Sequence, residues 1–327
     1  MFGNQMLSMI FAPWAADTLF CAARLKVFTY LVERPMTAEE LADKTGTVPR
    51  YLAAVLDANT AMGFLLKKED RYRNSSLSDI YLVEESPQYL GDIIEVLSAE
   101  APTWDGLVDM VSGRAGSLKP SGEVPPHRFT MAMNNLAMMG EAHALANALD
   151  LSGAKEMVDV GCGSGIYTVF LCRRFPGLRA ALLDRAEVLE TSREIVNKHN
   201  LGDRVTTRAA DITSGRLPLP LEESDAVLLS DVLYQEESVC TGILRSAYEL
   251  LKPGGTLVVR GYYSDAHPDG SQSVFGALFN IHQLLSDPDR EIISLPLLSQ
   301  WIEQTGFTIL KQFPLTERSY CLTAKKC

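Results

Sequence analysis

Met157-Val158-Asp159-Val160-Gly161-Cys162-Gly163-Ser164-Gly165 decides the fold. An apolar run ends in glycines at alternate positions, and Asp184 stands nineteen residues beyond the last of them. Glycines let the backbone turn sharply and approach a bound nucleoside with no side chain between. A carboxylate closing the next strand can accept hydrogen bonds from ribose hydroxyls. Ile166 stands where a dinucleotide fingerprint needs another glycine. The pattern therefore favours S-adenosylmethionine (SAM), which has no pyrophosphate, over NAD.

Working outward, strands are expected at 156–160, 179–184, 205–210, 225–230 and 256–260. Helices are expected near 166–174, 187–199, 239–251 and 296–305, and the tail from Thr308 to Lys325 reads as two antiparallel strands. Strands alternating with helices predict an α/β, doubly wound, Rossmann-like domain over 151–327. Such sheets bind ligands beyond the carboxyl ends of their strands, where the glycine loop, Asp184, Asp211 and Ser230 all fall.

The first hundred residues have a different character. Thr37-Ala38-Glu39-Glu40 is a capping box opening a helix to about Lys44. After the Gly46 turn, Pro49 suits an early helical position, and Tyr51 to Met62 continues the helix with Leu52, Val55 and Leu56 on one side. Gly63 stops it. Phe64-Leu65-Leu66, the charged turn from Lys67 to Arg71 and the segment after Tyr72 form two strands, completing a mostly helical, winged-helix pattern over 1–100. These residues hold 14 acidic and 9 basic side chains, the wrong sign for phosphate contacts, so a protein-binding module is expected and nucleic acid is not. Between the two regions, 101–150 reads as a connector. It has a helix from Trp104 to Val111, a Gly/Ser/Pro-rich loop, and a long helix from Arg128 to Leu149 carrying Phe129, Met131, Met133, Met138 and Met139. Methionines at that density suit either an adaptable apolar pocket or ordinary core.

Composition narrows the classes further. The 327 residues are 46% hydrophobic and 22% charged with a net charge of −11, a globular balance that repels nucleic acid and anionic membrane. The run from Ala15 to Leu31 is broken by Asp17, Arg24 and Lys26, so it reads as an amphipathic helix and no membrane insertion is expected. The amino terminus lacks the features of a signal peptide. Six cysteines without CxxC spacing point to free thiols in a cytoplasmic setting, with no metal site.

Three blocks taken in order resemble the SAM-dependent small-molecule O-methyltransferases, the family of plant caffeate-type enzymes and their bacterial relatives. They are the winged front with Leu25-Lys26-Val27-Phe28 and Thr37-Ala38-Glu39-Glu40-Leu41-Ala42, the loop Asp159 to Gly165, and Leu250-Leu251-Lys252-Pro253-Gly254-Gly255-Thr256-Leu257. The resemblance implies a methyltransferase that forms a homodimer through its front domain and takes a small, largely apolar acceptor such as a hydroxylated aromatic or polyketide. It also implies that Gly161, Gly163 and Gly165 form the SAM loop, with Asp184 the ribose acid and Asp211 and Ile212 beside the adenine. Read from the residues alone, Asp159 and Asp211 are equally compatible with turn-capping and exposed loop roles.

The pattern departs from the family at its catalytic histidine, whose place in Leu229-Ser230-Asp231-Val232-Leu233-Tyr234-Gln235-Glu236-Glu237 is taken by Tyr234. A phenol near pKa 10 is a poor base at neutral pH, so Tyr234 must be activated or must orient the acceptor instead. The chain is similar here to the bacteriochlorophyll C-20 methyltransferase, which implies carbon methylation of a tetrapyrrole or other conjugated ring as an alternative. His282, in Phe279-Asn280-Ile281-His282, is the candidate compensating base and equally a packing residue; His127 and His143 are weaker candidates. The family's Lys-Glu-Arg-Thr segment is only partly matched by Asp287-Pro288-Asp289-Arg290-Glu291. S- or N-methylation, or a non-catalytic SAM-binding scaffold, are the remaining alternatives.

Overall fold

The computed structural model describes residues 4–114, 124–215, 217, 223–263, 265, 273–287 and 292–327. It divides into two compact units, Met1–Glu100 and Ala101–Cys327.

In the first unit, short helices surround a core of Phe28, Met36, Leu41, Leu52, Leu56, Leu65 and Tyr72. The capping box forms as expected. Thr37 Oγ1 accepts from the Glu40 N–H at 3.2 Å, and Glu40 Oε2 accepts from the Thr37 N–H at 2.8 Å, opening the helix Ala38–Thr45. Gly46 ends it in the left-handed region (φ 65°), and Pro49 starts the helix Pro49–Ala61. The wing is the antiparallel pair β1 (Leu65–Lys68) and β2 (Arg71–Asn74). Asp57 of the second helix ties that wing down, accepting from Lys67 Nζ at 2.6 Å and Tyr72 Oη at 2.8 Å.

In the second unit, seven strands form one sheet. They are β3 (Glu156–Val160), β4 (Arg179–Asp184), β5 (Val205–Ala209), β6 (Ser224–Ser230), β7 (Leu251–Gly261), β8 (Phe307–Pro314) and β9 (Tyr320–Lys326). Their spatial order is β5-β4-β3-β6-β7-β9-β8. The first five are parallel, while β9 runs antiparallel to both β7 and β8. The chain winds outward from β3 to β5 and then restarts at β6 on the other side, so the order reverses between β3 and β6. That reversal opens a crevice at the strand ends. Successive side chains enter opposite cores. Val158, Leu183 and Leu229 pack with Ile243, Leu244 and Trp301, whereas Met157, Leu182 and Leu228 pack with Val169, Leu171 and Ile195. Burial on both faces explains the nearly continuous apolar runs of these strands.

Several expectations need correction. The long helix expected over 128–149 is two helices, Pro126–Leu136 and Ala142–Ala148, joined by a π-type turn, Ala137–Glu141. Gly140 (φ 109°) breaks it, a conformation that side chains resist. Met131 and Met138 pack on the core beside the Ile166–Arg174 helix, whereas Met139 and Phe129 are exposed. The helix expected from Trp104 is instead two, Gly91–Asp105 and Leu107–Val111. The strand expected at 256–260 begins at Leu251, because Ser224 pairs with Leu251 before a bulge shifts the register to Ala226 and Thr256. Within Asp287–Glu291, only Asp287 lies among the described residues. No helix of the described residues is long and apolar enough to cross a membrane.

Candidate active site

The crevice at the carboxyl ends of β3 and β6 has a polar edge and an aromatic cleft. At the polar edge, Gly161, Gly163 and Gly165 all have positive φ (68°, 54° and 73°). A Cβ at Gly161 would fall 2.4 Å from Val232 Cγ1 and 3.0 Å from Ile212 Cδ1. Glycine is therefore required twice over, by conformation and by space. At Gly165 the corresponding clash is with Leu182 Cδ1 at 2.8 Å, where the loop enters the Ile166–Arg174 helix.

Asp184, at the end of β4, accepts the Gly163 N–H on Oδ2 and the Arg185 N–H on Oδ1, each at 2.8 Å. Each oxygen keeps a further lone pair that can accept a ligand hydroxyl. Burial raises the proton affinity of Asp184, although the Gly163 and Arg185 amides pull against it. Asp159 is fully buried under the loop. Its Oδ2 accepts from Thr168 Oγ1 at 2.6 Å, while Oδ1 has no partner among the described residues. Burial pushes its carboxyl up to about 7, and the charge of Asp184 adds to the rise. Ser230 Oγ, at the end of β6, is likewise buried without a partner. Unsatisfied polar atoms are costly in a dry interior, and ordered water or a bound group usually satisfies them.

Asp211 behaves differently. It is exposed, and it caps the short turn Ile212–Ser214 by accepting from Thr213 N at 2.9 Å and Thr213 Oγ1 at 2.6 Å. Those bonds hold its carboxyl below the usual range. Ile212 contributes the apolar face that meets Gly161.

Beyond β6 and β7 lies the cleft, lined by Asp231, Leu233, Tyr234, Arg260, Tyr262 and Phe279, among others. Tyr234 is therefore in the cleft, but His282 is not among its lining residues. The His282 ring stacks on Phe279, with centroids 5.9 Å apart and planes at 21°. Phe279 in turn meets Tyr262 edge-on at 5.3 Å. His127 and His143 serve packing: His127 Nδ1 bonds Thr191 Oγ1, and His143 Nε2 bonds Asn147 Nδ2, both at 2.8 Å.

The base of this cleft holds a charged group that no sequence motif singles out. Arg260, only 1% exposed, lies on β7 with Tyr262 at 4.4 Å and Tyr167 at 5.4 Å from its guanidinium carbon. Its Nη1 pairs with Asp231 Oδ2 and its Nη2 with Glu141 Oε2. Glu141, equally buried, also accepts from Thr316 Oγ1 at 3.1 Å and lies 3.3 Å from Arg318 Nη2. Burial opposes the charge on Arg260, but the facing Tyr167, Tyr262 and Glu141 more than offset it, so the guanidinium holds its proton firmly. A signal was present in Leu257-Val258-Val259-Arg260-Gly261: an arginine inside a strand otherwise apolar enough to be buried must have partners.

Comparison with known proteins gives a consistent result. Residues 118–287 match the O-methyltransferase domain model, and residues 7–84 match the O-methyltransferase dimerisation domain model. The chain is 29% identical over 307 residues to 3-hydroxy-5-methyl-1-naphthoate 3-O-methyltransferase of Streptomyces sahachiroi, covering 90% of this chain and 86% of that protein. It is 30% identical over 282 residues to aclacinomycin 10-hydroxylase RdmB of Streptomyces purpurascens, covering 80% and 73%. Among solved structures, human N-acetylserotonin methyltransferase in complex with SAM superposes with a TM-score of 0.85 at 20% identity, covering 100% of this chain and 99% of that one, a likeness of fold.

Proposed function

This chain belongs to the O-methyltransferase family and is a SAM-dependent methyltransferase, and from that premise we propose that it methylates a flat, largely apolar hydroxylated aromatic or polyketide-like metabolite. The observation that carries the substrate class is the similarity to a hydroxynaphthoate O-methyltransferase, and the narrow recess of about 20 Å³ among Tyr234, Tyr262 and Phe279, beside a single charged pair, marks where such a ring would dock. Aromatic walls favour a planar ring, and a small number of placed polar groups set its orientation.

SAM supplies an electrophilic methyl group on a sulfonium that leaves readily. The residues at the polar edge are suited to holding it. In this reading Gly161, Gly163 and Gly165 admit its backbone-hugging body, Asp184 takes the ribose hydroxyls, Ile212 packs on the adenine and Asp211 faces its amino group. Asp159 and Ser230 offer buried acceptors to the remaining polar groups, Asp159 directly or through a water. The enzyme's contribution is alignment in a site closed to water, which can supply much of a bimolecular barrier. Tyr234 takes the place of the family histidine and orients the acceptor by its hydroxyl. His282 acts on the acceptor through Phe279, whose ring it supports.

The same tyrosine gives the second reading, carbon methylation of a conjugated ring, as in enzymes that resemble the bacteriochlorophyll C-20 methyltransferase. A carbon nucleophile does not require a strong base at position 234.

The domain assignment follows the same reading: 1–100 for dimerisation, 101–150 to help line the acceptor site and 151–327 to bind SAM. A homodimer is supported by the match to a dimerisation domain and by exposed Met6, Met9, Ile10 and Trp14 near the amino terminus. The acidic balance of the front unit argues against nucleic acid as its partner. A cytoplasmic setting is proposed from cysteines that are free throughout the described residues.

Incubation with methyl-tritiated SAM and a panel of hydroxynaphthoates, hydroxyanthraquinones and tetrapyrroles tests the proposal, with the labelled atom located by mass spectrometry and NMR. Label on an aromatic oxygen is expected. Label on ring carbon supports the second reading, and an oxygenated product without label would align the chain with its hydroxylase relative instead.

A further inference from the structure

We propose that Asp231 is a catalytic residue, the carboxylate that receives the acceptor's hydroxyl proton and so supplies what Tyr234 cannot. The inference rests on the cleft being the acceptor site. Three observations carry it.

The first is position. Asp231 follows the last residue of β6 and is the carboxylate among the residues lining the cleft, which it shares with Tyr234 three residues on. Its side chain is 35% exposed, in contrast to the 1% of its partner Arg260. The second is backbone geometry. Asp231 has φ 55°, a left-handed conformation that an L-residue adopts at a cost. Its N–H is fixed to the Arg260 carbonyl at 2.9 Å. Strain maintained by a hydrogen bond at a strand end is characteristic of functional sites. The third is charge. Arg260 Nη1 donates to Oδ2 in a charge-assisted bond, and Oδ1 accepts no hydrogen bond among the described residues. Arg260 is itself locked between Glu141, Tyr262 and Tyr167, so Asp231 has little freedom to swing away. Next in the chain, Val232 packs against Gly161 of the proposed donor loop. The four residues 231–234 thus join the polar edge to the aromatic cleft.

A carboxylate paired with arginine is too weak a base to ionise a phenol beforehand, and it need not do so. It accepts a charge-assisted hydrogen bond from the acceptor hydroxyl, raising electron density on the attacking oxygen. As that oxygen bonds to the methyl carbon, the C–S electron pair goes to sulfur, the O–H bond breaks and its proton passes to Asp231 Oδ1, then to water. Proton transfer becomes downhill during the step, because a protonated aryl ether is a far stronger acid than a carboxylic acid. Arg260 is a positioning residue in this scheme.

Asp231→Asn is the informative variant, since asparagine tolerates a left-handed backbone and keeps an acceptor oxygen while losing the charge. With the full-length protein saturated with S-adenosylhomocysteine, calorimetry compares naphthol with naphthyl methyl ether. Wild type is expected to prefer naphthol about tenfold, and Asp231→Asn to lose that preference while keeping SAM affinity, with a lowered Tm because Arg260 loses an ionic partner. On an accepted phenol, Asp231→Asn is expected to lower kcat roughly a hundredfold or more. The loss should shrink on nitro-substituted phenols already ionised at the assay pH, and Asp231→Glu should recover part of the rate. If naphthol preference survives in Asp231→Asn, or wild type binds both rings equally, the role of Asp231 is overturned while the cleft stands. If neither ring binds to wild type, the reading of the cleft fails and the inference with it.

Discussion

The polar edge and the aromatic cleft adjoin at the same end of one sheet, yet they are built by different means. The edge comes from a nine-residue run and one carboxylate, held by backbone: positive φ at three glycines and the Gly163 amide on Asp184. The cleft draws on residues from 231 to 293 in separate segments, and its polarity is concentrated in Asp231 and Arg260. Asp231 and Arg260 are secured by Glu141, nearly 120 residues upstream of Arg260. A site held by backbone tolerates change in its surroundings and is intolerant at its glycines. A site held by a buried ion network should instead fail as a unit when one charge is removed.

Arg260→Met gives the sharpest test of that contrast. It leaves Glu141 buried with Arg318 as its remaining cationic partner and frees Asp231. The expected loss is about 3–5 kcal/mol of stability, read by denaturant titration, with acceptor turnover abolished in any folded fraction. A loss below about 1 kcal/mol would mean that the cleft is as locally held as the edge.

On the donor side, Asp184→Ala should cost about 1–2 kcal/mol of stability, because the Gly163 and Arg185 amides lose their acceptor, and leave the protein folded. SAM affinity should fall by about 2–3 kcal/mol, since charged hydrogen bonds to two hydroxyls are lost. Unchanged calorimetric affinity would remove the proposed ribose contact.

Asp159 makes the edge sensitive to pH. Its folded pKa near 7 exceeds the usual 3.8, so the native state binds more protons than the unfolded chain in between. Stability therefore falls as pH rises from about 4 to 7, by something of order 2–4 kcal/mol, and the loss is complete above that window. Asp159→Asn should flatten this slope. A cationic ligand nearby favours the ionised form, so SAM should bind more tightly above pH 7 and release a proton on binding. Calorimetric enthalpies that depend on buffer ionisation would detect that release.

The smallest effect is expected at His282. Removing a ring that stacks on Phe279 and lies outside the cleft lining should cost about 0.5–1.5 kcal/mol in kcat/KM, with an unchanged pH profile. A shifted profile would make it a proton carrier after all.

Much of this molecule is legible along the chain. The capping box at Thr37, the β3–glycine loop–helix unit and the alternation of strands and helices all express rules that act over a few residues. The errors were equally local. Met131 to Met139 carries an apolar pattern that runs straight through Gly140, and periodicity cannot report a φ of 109°. The extension of β7 back to Leu251 depends on Ser224 of another strand, which no window along the chain contains.

The chain alone determined that a nucleoside edge exists, because glycine conformation and strand polarity are local properties. It also determined that residue 234 is a tyrosine, whose phenol is a poor base at neutral pH. Which charged groups stand near that tyrosine was settled by the tertiary structure alone. It brought Glu141, Asp231 and Arg260 together around a charge that could not be buried alone, since pairing a charge in a low-dielectric interior depends on distance in space.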